Sequence, residues 1–343
     1  MQEKDLFEWL FIGVLTSVIA FFIVFALTPI WIKFLEKMNW VVDDRHRKGG
    51  AKVSHPGGPV LLAGILGAEI TLYAFLGTTE ILAVIFTTTF AFIVGIIDDV
   101  KIMSGWFKPL ALAVSSIPII ILGTYDTSIA FPLFGNLEIS WLYLAVIPLT
   151  ISLLGNTLNS IDVMNGLSSI FMVIASIVLI IGLIIVENYE MAFVVLPLLF
   201  VSIAFYKYHK FPTRIFPGDS GALVFGVMYG TLAIVGNVEI IAIIALLPAV
   251  INSFLFLSSA KRIVEHRQIG ARPTEMTDDF KIKSTKSVKA AISLVRLLVA
   301  KKPLTEKEIV IQVVKLTLVS GILSVVTALM INSEISIIGN NGV

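Results

Sequence analysis

The 343-residue chain has no cysteine. That excludes disulfides, thiolate metal sites, iron–sulfur clusters and a cysteine nucleophile, without fixing a redox compartment. Charge is the second scarcity: 14% of residues are Asp, Glu, Lys or Arg and 57% are hydrophobic, whereas soluble domains carry roughly 25% charged residues. Too few polar residues remain to cover a soluble fold of this length. Histidine is sparse as well, with His46, His55, His209 and His266 scattered along the chain. No soluble domain, low-complexity tract or convincing internal repeat interrupts residues 1–343, which read as one polytopic membrane unit.

Long uncharged runs are what the sequence has in abundance. Residues 9–32, 81–97, 109–125, 139–161, 163–186, 191–206, 220–238, 240–260 and 316–333 contain no Asp, Glu, Lys or Arg. Each is near the ~17 to 25 residues that cross the hydrocarbon core. A tenth run, about 58–78, is interrupted only by Glu69. The expectation is an all-α integral membrane protein of about ten transmembrane helices, with both termini on one side. Of 25 Lys and Arg, 23 fall in the loops of the opposite side, so the positive-inside rule makes those loops cytoplasmic and puts both termini outside. The start, MQEKDLFEWL, lacks a small-residue cleavage pattern, and the first span reads as a retained anchor. Residues 261–315 form the one long cytoplasmic loop. Within it SVKAAISLVRLLVAKK, residues 287–302, reads either as a basic amphipathic helix on the membrane surface or as a packed connector.

Unusual polar residues fall in the cytoplasmic loops. The first loop, VVDDRHRKGGAKVSHPGGP, combines glycines with Arg45, Arg47, Lys48 and Lys52, and suits phosphate or anionic lipid. In the second, Asp98 and Asp99 adjoin an apolar span; paired acids at a membrane edge call for a cation or a proton, and a solvated helix end is the plain alternative. Lys108 aims a cation at the same surface. The third cluster, GNTLNSIDVMNGLSS, spaces Asn156, Asn159, Asp162 and Asn165 by three, so a helical turn would bring several to one side. In the fourth, IFPGDSGALVFG, Asp219 opens a span, where it could equally be an N-cap. The fifth, KRIVEHRQIGARPTEMTDDF, gathers Arg262, His266, Arg267 and Arg272, whose forks suit a diphosphate or sugar hydroxyls. Acids for a metal and bases for phosphate on one face suggest phosphoryl transfer at the membrane surface.

Five motifs in order, SHPGGP, the Asp98–Asp99 pair, NTLNSIDVMNGL, FPGDSGAL and EHRQIGARPT, resemble the polyprenyl-phosphate N-acetylhexosamine-1-phosphate transferases, and the mixture looks like an archaeal dolichol-type enzyme. The resemblance implies transfer of N-acetylglucosamine-1-phosphate from UDP-N-acetylglucosamine to dolichyl or another polyprenyl phosphate. UMP would be released and the first lipid-linked glycan intermediate formed. The implied ion is magnesium, with manganese as the alternative. By motif, Asp98 and Asp99 resemble the essential acidic pair, with the roles of base and metal organiser left open between them. Lys108 resembles the phosphate-contacting lysine. Asn159 and Asp219, with Asp98, resemble metal-binding positions, and Asn165, Gly166 and Leu167 the segment contacting uracil. His266 and Arg267 resemble the pair holding diphosphate and N-acetylglucosamine, with Arg272 as competitor. Asp162 joins the catalytic candidates and Asn156 the substrate-binding ones. The expected location is the cell membrane, multi-pass, with the active site on the cytoplasmic face; membrane lipid is a partner, nucleic acid is not, and a homodimer is left open. A phospho-N-acetylmuramoyl-pentapeptide or other UDP-sugar transferase is the alternative. A secondary transporter, which would need polar residues near the bilayer midplane, is the rival of another class.

Overall fold

The structure, a computed structural model, describes residues 3–47, 50–101, 103–260 and 271–341. It is a helical bundle with three short hairpins in its loops. In chain order the elements are α1 (Glu3–Lys37), β1 (Val41–Asp43), β2 (Lys52–Ser54), α2 (Gly58–Leu76), α3 (Thr79–Val100), α4 (Phe107–Ser115) and α5 (Ile117–Leu122). The hairpin strands β3 (Ser128–Phe131) and β4 (Gly135–Glu138) lead into α6 (Ser140–Ile161), α7 (Leu167–Ile185), α8 (Tyr189–His209) and α9 (Gly218–Val235). Last come α10 (Glu239–Ala245), α11 (Leu247–Ala260), β5 (Thr274–Met276), β6 (Ile282–Ser284), α12 (Leu294–Leu298) and α13 (Glu306–Asn341).

Among the described residues, eight helices are long and apolar enough to cross a membrane singly. The remaining two uncharged runs are also helical, but broken. The run at 109–125 becomes α4 and α5, a 16-residue apolar pair, Phe107–Leu122. The run at 240–260 becomes α10 and α11, bent by 74°. Proline explains both breaks: Pro118 and Pro248 stand in the first turns of α5 and α11, where a missing N–H is tolerated, but neither can continue the hydrogen-bond ladder of the helix before it. The final helix starts at Glu306, ten residues before the uncharged run. Thr305 and Glu308 exchange side-chain and backbone hydrogen bonds there, a capping box that starts the helix despite its charges. The helix therefore begins within the segment 261–315 read from the sequence as the long loop.

Helix direction alternates along the chain. α1, α3, α6, α8 and α11 end, and α2, α4, α7, α9 and α13 begin, at the end of the bundle where the polar clusters meet. At the opposite end Leu6 of α1 borders the α7–α8 turn. α9 is the central helix, 89% of it buried, and it packs most heavily on α3 and α6. Gly95 of α3 permits that approach, because a Cβ there would stand 2.4 Å from the Ser220 Cα. The outer helices expose large apolar side chains such as Phe22 and Ile322, as lipid-facing surfaces do.

Candidate active site

Asp98 and Asp99 share the last turn of α3 but point to different partners. Asp98 accepts the Met103 N–H at 2.6 Å and the Lys108 ammonium at 2.8 Å. Lys108, buried in the first turn of α4, also donates to Asp219 Oδ1 in the first turn of α9. The Asn159 amide of α6 reaches the same oxygen at 2.8 Å. Four helices thus bring two carboxylates, one ammonium and one amide to a single point. Asp99 instead accepts the backbone N–H groups of Asp219 at 2.7 Å and Ser220 at 2.9 Å, and so caps α9 from outside that helix. A carboxylate is favoured there by the unpaired N–H groups and the helix dipole. Gly218 makes this possible: its φ of +75° suits glycine, and a Cβ would lie 2.8 Å from Asp99 Oδ1. His55 Nε2 stands 3.4 Å from the same carboxylate oxygen.

Two carboxylates sharing one ammonium leave an excess of negative charge. With the Asn159 amide beside them they form an oxygen-donor set that suits a hard divalent cation, whose other ligands would be water and phosphate oxygens. The described residues contain no group of three or more acidic, histidine or cysteine side chains placed to hold a metal. Such an ion would therefore depend on substrate phosphate to complete its shell.

The triplet spacing of the third motif does not put all four residues on one helix. α6 ends at Ile161, so Asp162 stands at its C-cap and Asn165 in the turn beyond. Asn156 donates to the Ser152 carbonyl and faces a second, apolar cavity. Asn165 is buried, its side chain donating to Asp44 at 3.1 Å and to Glu306 at 3.2 Å while its own N–H donates to Glu306 at 2.7 Å. Gly166 adopts a φ of +80° at the start of α7. Leu167 is fully buried in the apolar core. Asp44, His55 and Glu306 were not singled out from the sequence. Asp44 was visible only as one of two acids in a basic loop, and nothing local to Glu306 marks its contact with a residue 141 positions earlier.

Asp162 lies 3.8 Å from His209 Nε2, whose Nδ1 pairs with Ser169 Oγ at 2.9 Å. Burial pushes the Asp162 carboxyl from 3.8 up to about 7, with Ser168 opposing the shift and the negative charge of Asp219 adding to it. The native state then holds this proton more tightly than the unfolded chain. Its contribution to stability is present below the ordinary carboxylate range and is lost as pH rises toward 7. Asp162→Asn should remove that slope, which thermal unfolding in detergent across this pH window measures; an unchanged slope would reject the assignment.

Two cavities meet at the cluster. A polar one of about 390 Å³ is bordered by Asp44, Arg45, His46, Asn159, Asp162, Asn165 and Asp219. An apolar one of about 310 Å³ lies between α4, α6 and α11, bordered by Lys108, Leu149, Leu153, Asn156, Asn159 and Phe256. A third, of about 450 Å³, joins Arg45 and His46 to Arg272 and Thr274. His266 and Arg267, with Arg262, Lys48 and Gly49, lie outside the described residues.

Known proteins similar to this chain are transferases by name. A protein of Saccharolobus solfataricus with the provisional name UDP-N-acetylglucosamine–dolichyl-phosphate N-acetylglucosaminephosphotransferase is 24% identical over 252 residues, covering 72% of this chain and 78% of its own. A provisionally named glycosyltransferase of Methanocaldococcus jannaschii is 27% identical, covering 90% of this chain and 95% of its own. The phospho-N-acetylmuramoyl-pentapeptide-transferase of Clostridium perfringens is 25% identical, covering 77% and 85%. Residues 81–237 match the glycosyl transferase family 4 profile, and that segment carries Asp98, Asp99, Lys108, Asn159, Asp162 and Asp219.

Proposed function

We propose that the protein transfers N-acetylglucosamine-1-phosphate from UDP-N-acetylglucosamine to dolichyl or a related polyprenyl phosphate. The observation that carries this reading is the meeting of a polar and an apolar cavity at one charged cluster, with Asn159 bordering both. A nucleotide sugar fits the first by charge and hydrogen bonding, and a polyprenyl chain fits the second by hydrophobicity. The names of the archaeal relatives support the donor and acceptor.

In this reading a lipid-phosphate oxygen forms a bond to the donor phosphorus that bears the sugar. The phosphoanhydride bond of that phosphorus breaks and UMP leaves. The nucleophile is already anionic, so the chain's task is to bring two polyanions together. Lys108, fixed by Asp98 and Asp219, sits where the cavities meet and offsets the repulsion between the phosphates. Arg45 and Arg272, bordering the outer cavity, supply further positive charge. Asn165, held through its amide N–H groups by Asp44 and Glu306, offers its side-chain oxygen to the base. Bound Mg²⁺, held by Asp98, Asp219 and Asn159, would neutralise diphosphate charge and stabilise the departing UMP.

Ten traversals with both termini outside, and the site on the cytoplasmic face of the cell membrane, complete the proposal. The Lys/Arg partition and the alternation of helix direction support it. Single cysteines in this Cys-free chain test it: an impermeant thiol reagent applied to intact cells should modify Asn136→Cys and spare Ser104→Cys and Asp278→Cys. The reaction is tested by incubating purified protein with polyprenyl phosphate and competing UDP-N-acetylglucosamine and UDP-N-acetylmuramoyl-pentapeptide. UMP release with lipid-linked N-acetylglucosamine is expected, whereas preferential use of the pentapeptide donor would replace the dolichol-type reading by its alternative. The transporter reading has only Glu69, buried in α2, as an acid deep in a long span.

A further inference from the structure

Residues 288–302 border none of the three cavities at the site, yet they are built with care. Only five of them are helical, so the long amphipathic helix does not form. A loop forms instead, gathered around Arg296, whose guanidinium donates to the carbonyls of Ala290, Ala291, Thr285 and Ser287 at 2.5–3.3 Å. The guanidinium is spent on holding the loop. Ala290, Ala291, Leu294, Val295 and Val299 form its buried side.

Two backbone bonds fix its height against the bundle. The Ile292 N–H donates to Ser259 Oγ at 2.7 Å and the Leu294 N–H to Asn252 Oδ1 at 2.8 Å, both on α11. Asn252 in turn donates to the carbonyl of Ser160, one residue from the end of α6. The loop therefore sits level with the end of α6, and α11, to which it is bonded, carries the exposed apolar side chains Phe254 and Leu257. Its outer side presents Val288, 97% exposed, with Ile292 and Leu297, alongside exposed Lys286, Lys289 and Lys301. Among the described residues no ion pair is formed by these three lysines.

Exposed branched apolar side chains between exposed lysines that form no ion pair among the described residues have the composition of an interfacial anchor. We propose that residues 286–302 seat Val288, Ile292 and Leu297 among the acyl chains of the leaflet on the active-site side, with Lys286, Lys289 and Lys301 on the headgroups of anionic phospholipid. The loop would thereby tie the wall of the outer cavity, which includes Thr285 and Ser287, to the membrane surface.

The test uses the full chain in lipid nanodiscs and needs no turnover, so it fails or succeeds independently of the proposed reaction. Nitroxide labels are placed on Val288→Cys, on Phe254→Cys as a lipid reference and on Asp278→Cys as an aqueous reference. Collision with oxygen and with a water-soluble nickel complex then reports depth. In discs containing phosphatidylglycerol, position 288 should match 254; in phosphatidylcholine alone it should move toward 278. Lys286→Gln and Lys289→Gln should each weaken the preference for the anionic discs about fivefold. Water exposure at 288 equal to that at 278 in the anionic discs overturns the anchor, and the same depth in both lipids overturns the role of the lysines.

Discussion

Asp219→Asn is expected to lower kcat by about a hundredfold to a thousandfold, the usual cost of removing one fixed electrostatic partner of a transition state. The side chain keeps its shape and can still meet Asn159, but it loses the charge that holds the Lys108 ammonium. The fold should survive, because the α9 terminus is capped by the carboxylate of Asp99 through backbone N–H groups that the substitution leaves alone. UMP release measured beside thermal unfolding separates the two effects. Near wild-type turnover in a folded variant would remove Asp219 from the chemistry. Asp99→Asn should behave differently: its loss falls on the cap, about 1 kcal/mol of stability, and reaches turnover only by moving Asp219.

Lys108→Met should be the most destabilising single change at the site. The ammonium is buried between Asp98 and Asp219, so its removal leaves two carboxylates facing each other away from water. Breaking a buried pair in this way costs about 3–5 kcal/mol. Adding Asp98→Asn removes one of the orphaned charges, and the double variant should regain part of the stability while staying inactive. Chemical denaturation in detergent reads the first effect and turnover the second. If Lys108→Met unfolds like the wild type, the ammonium does not hold the cluster together.

The sequence made the membrane class legible because a charge inside hydrocarbon is costly enough to leave long blank runs. It could not show that the runs at 109–125 and 240–260 break, since a proline near a helix start and one that bends a span look alike without the neighbouring helices. At the site the acidic pair was visible as a pair, but its division was not. Whether Asp98 or Asp99 faces Lys108 depends on where α9 begins, 120 positions away. Asn165 could be singled out from its motif, whereas its partner Glu306 could not. A glutamate in the first turn of a helix has an ordinary local reason to be there, and only tertiary packing gives it a second one. Leu167, named with Asn165 and Gly166 by the resemblance, has its side chain turned into the core by the start of α7, a direction that the motif alone does not show.

The two broken helices have a consequence for the bilayer itself. α4 and α5 together hold 16 residues, about 24 Å at 1.5 Å per residue, against a hydrocarbon thickness of about 30 Å. Together with the bent α11, α4 walls the apolar cavity beside Lys108. As a traversal this pair would concentrate hydrophobic mismatch on one flank, and lipid next to a short span accommodates by thinning. With α4 and α5 as one traversal of the proposed ten, the headgroup plane is expected to dip toward the buried ammonium at the flank where an acceptor lipid would enter. That shortens the path its phosphate must travel, and turnover should accordingly fall when short-chain phosphatidylcholine around the protein is exchanged for a long-chain form.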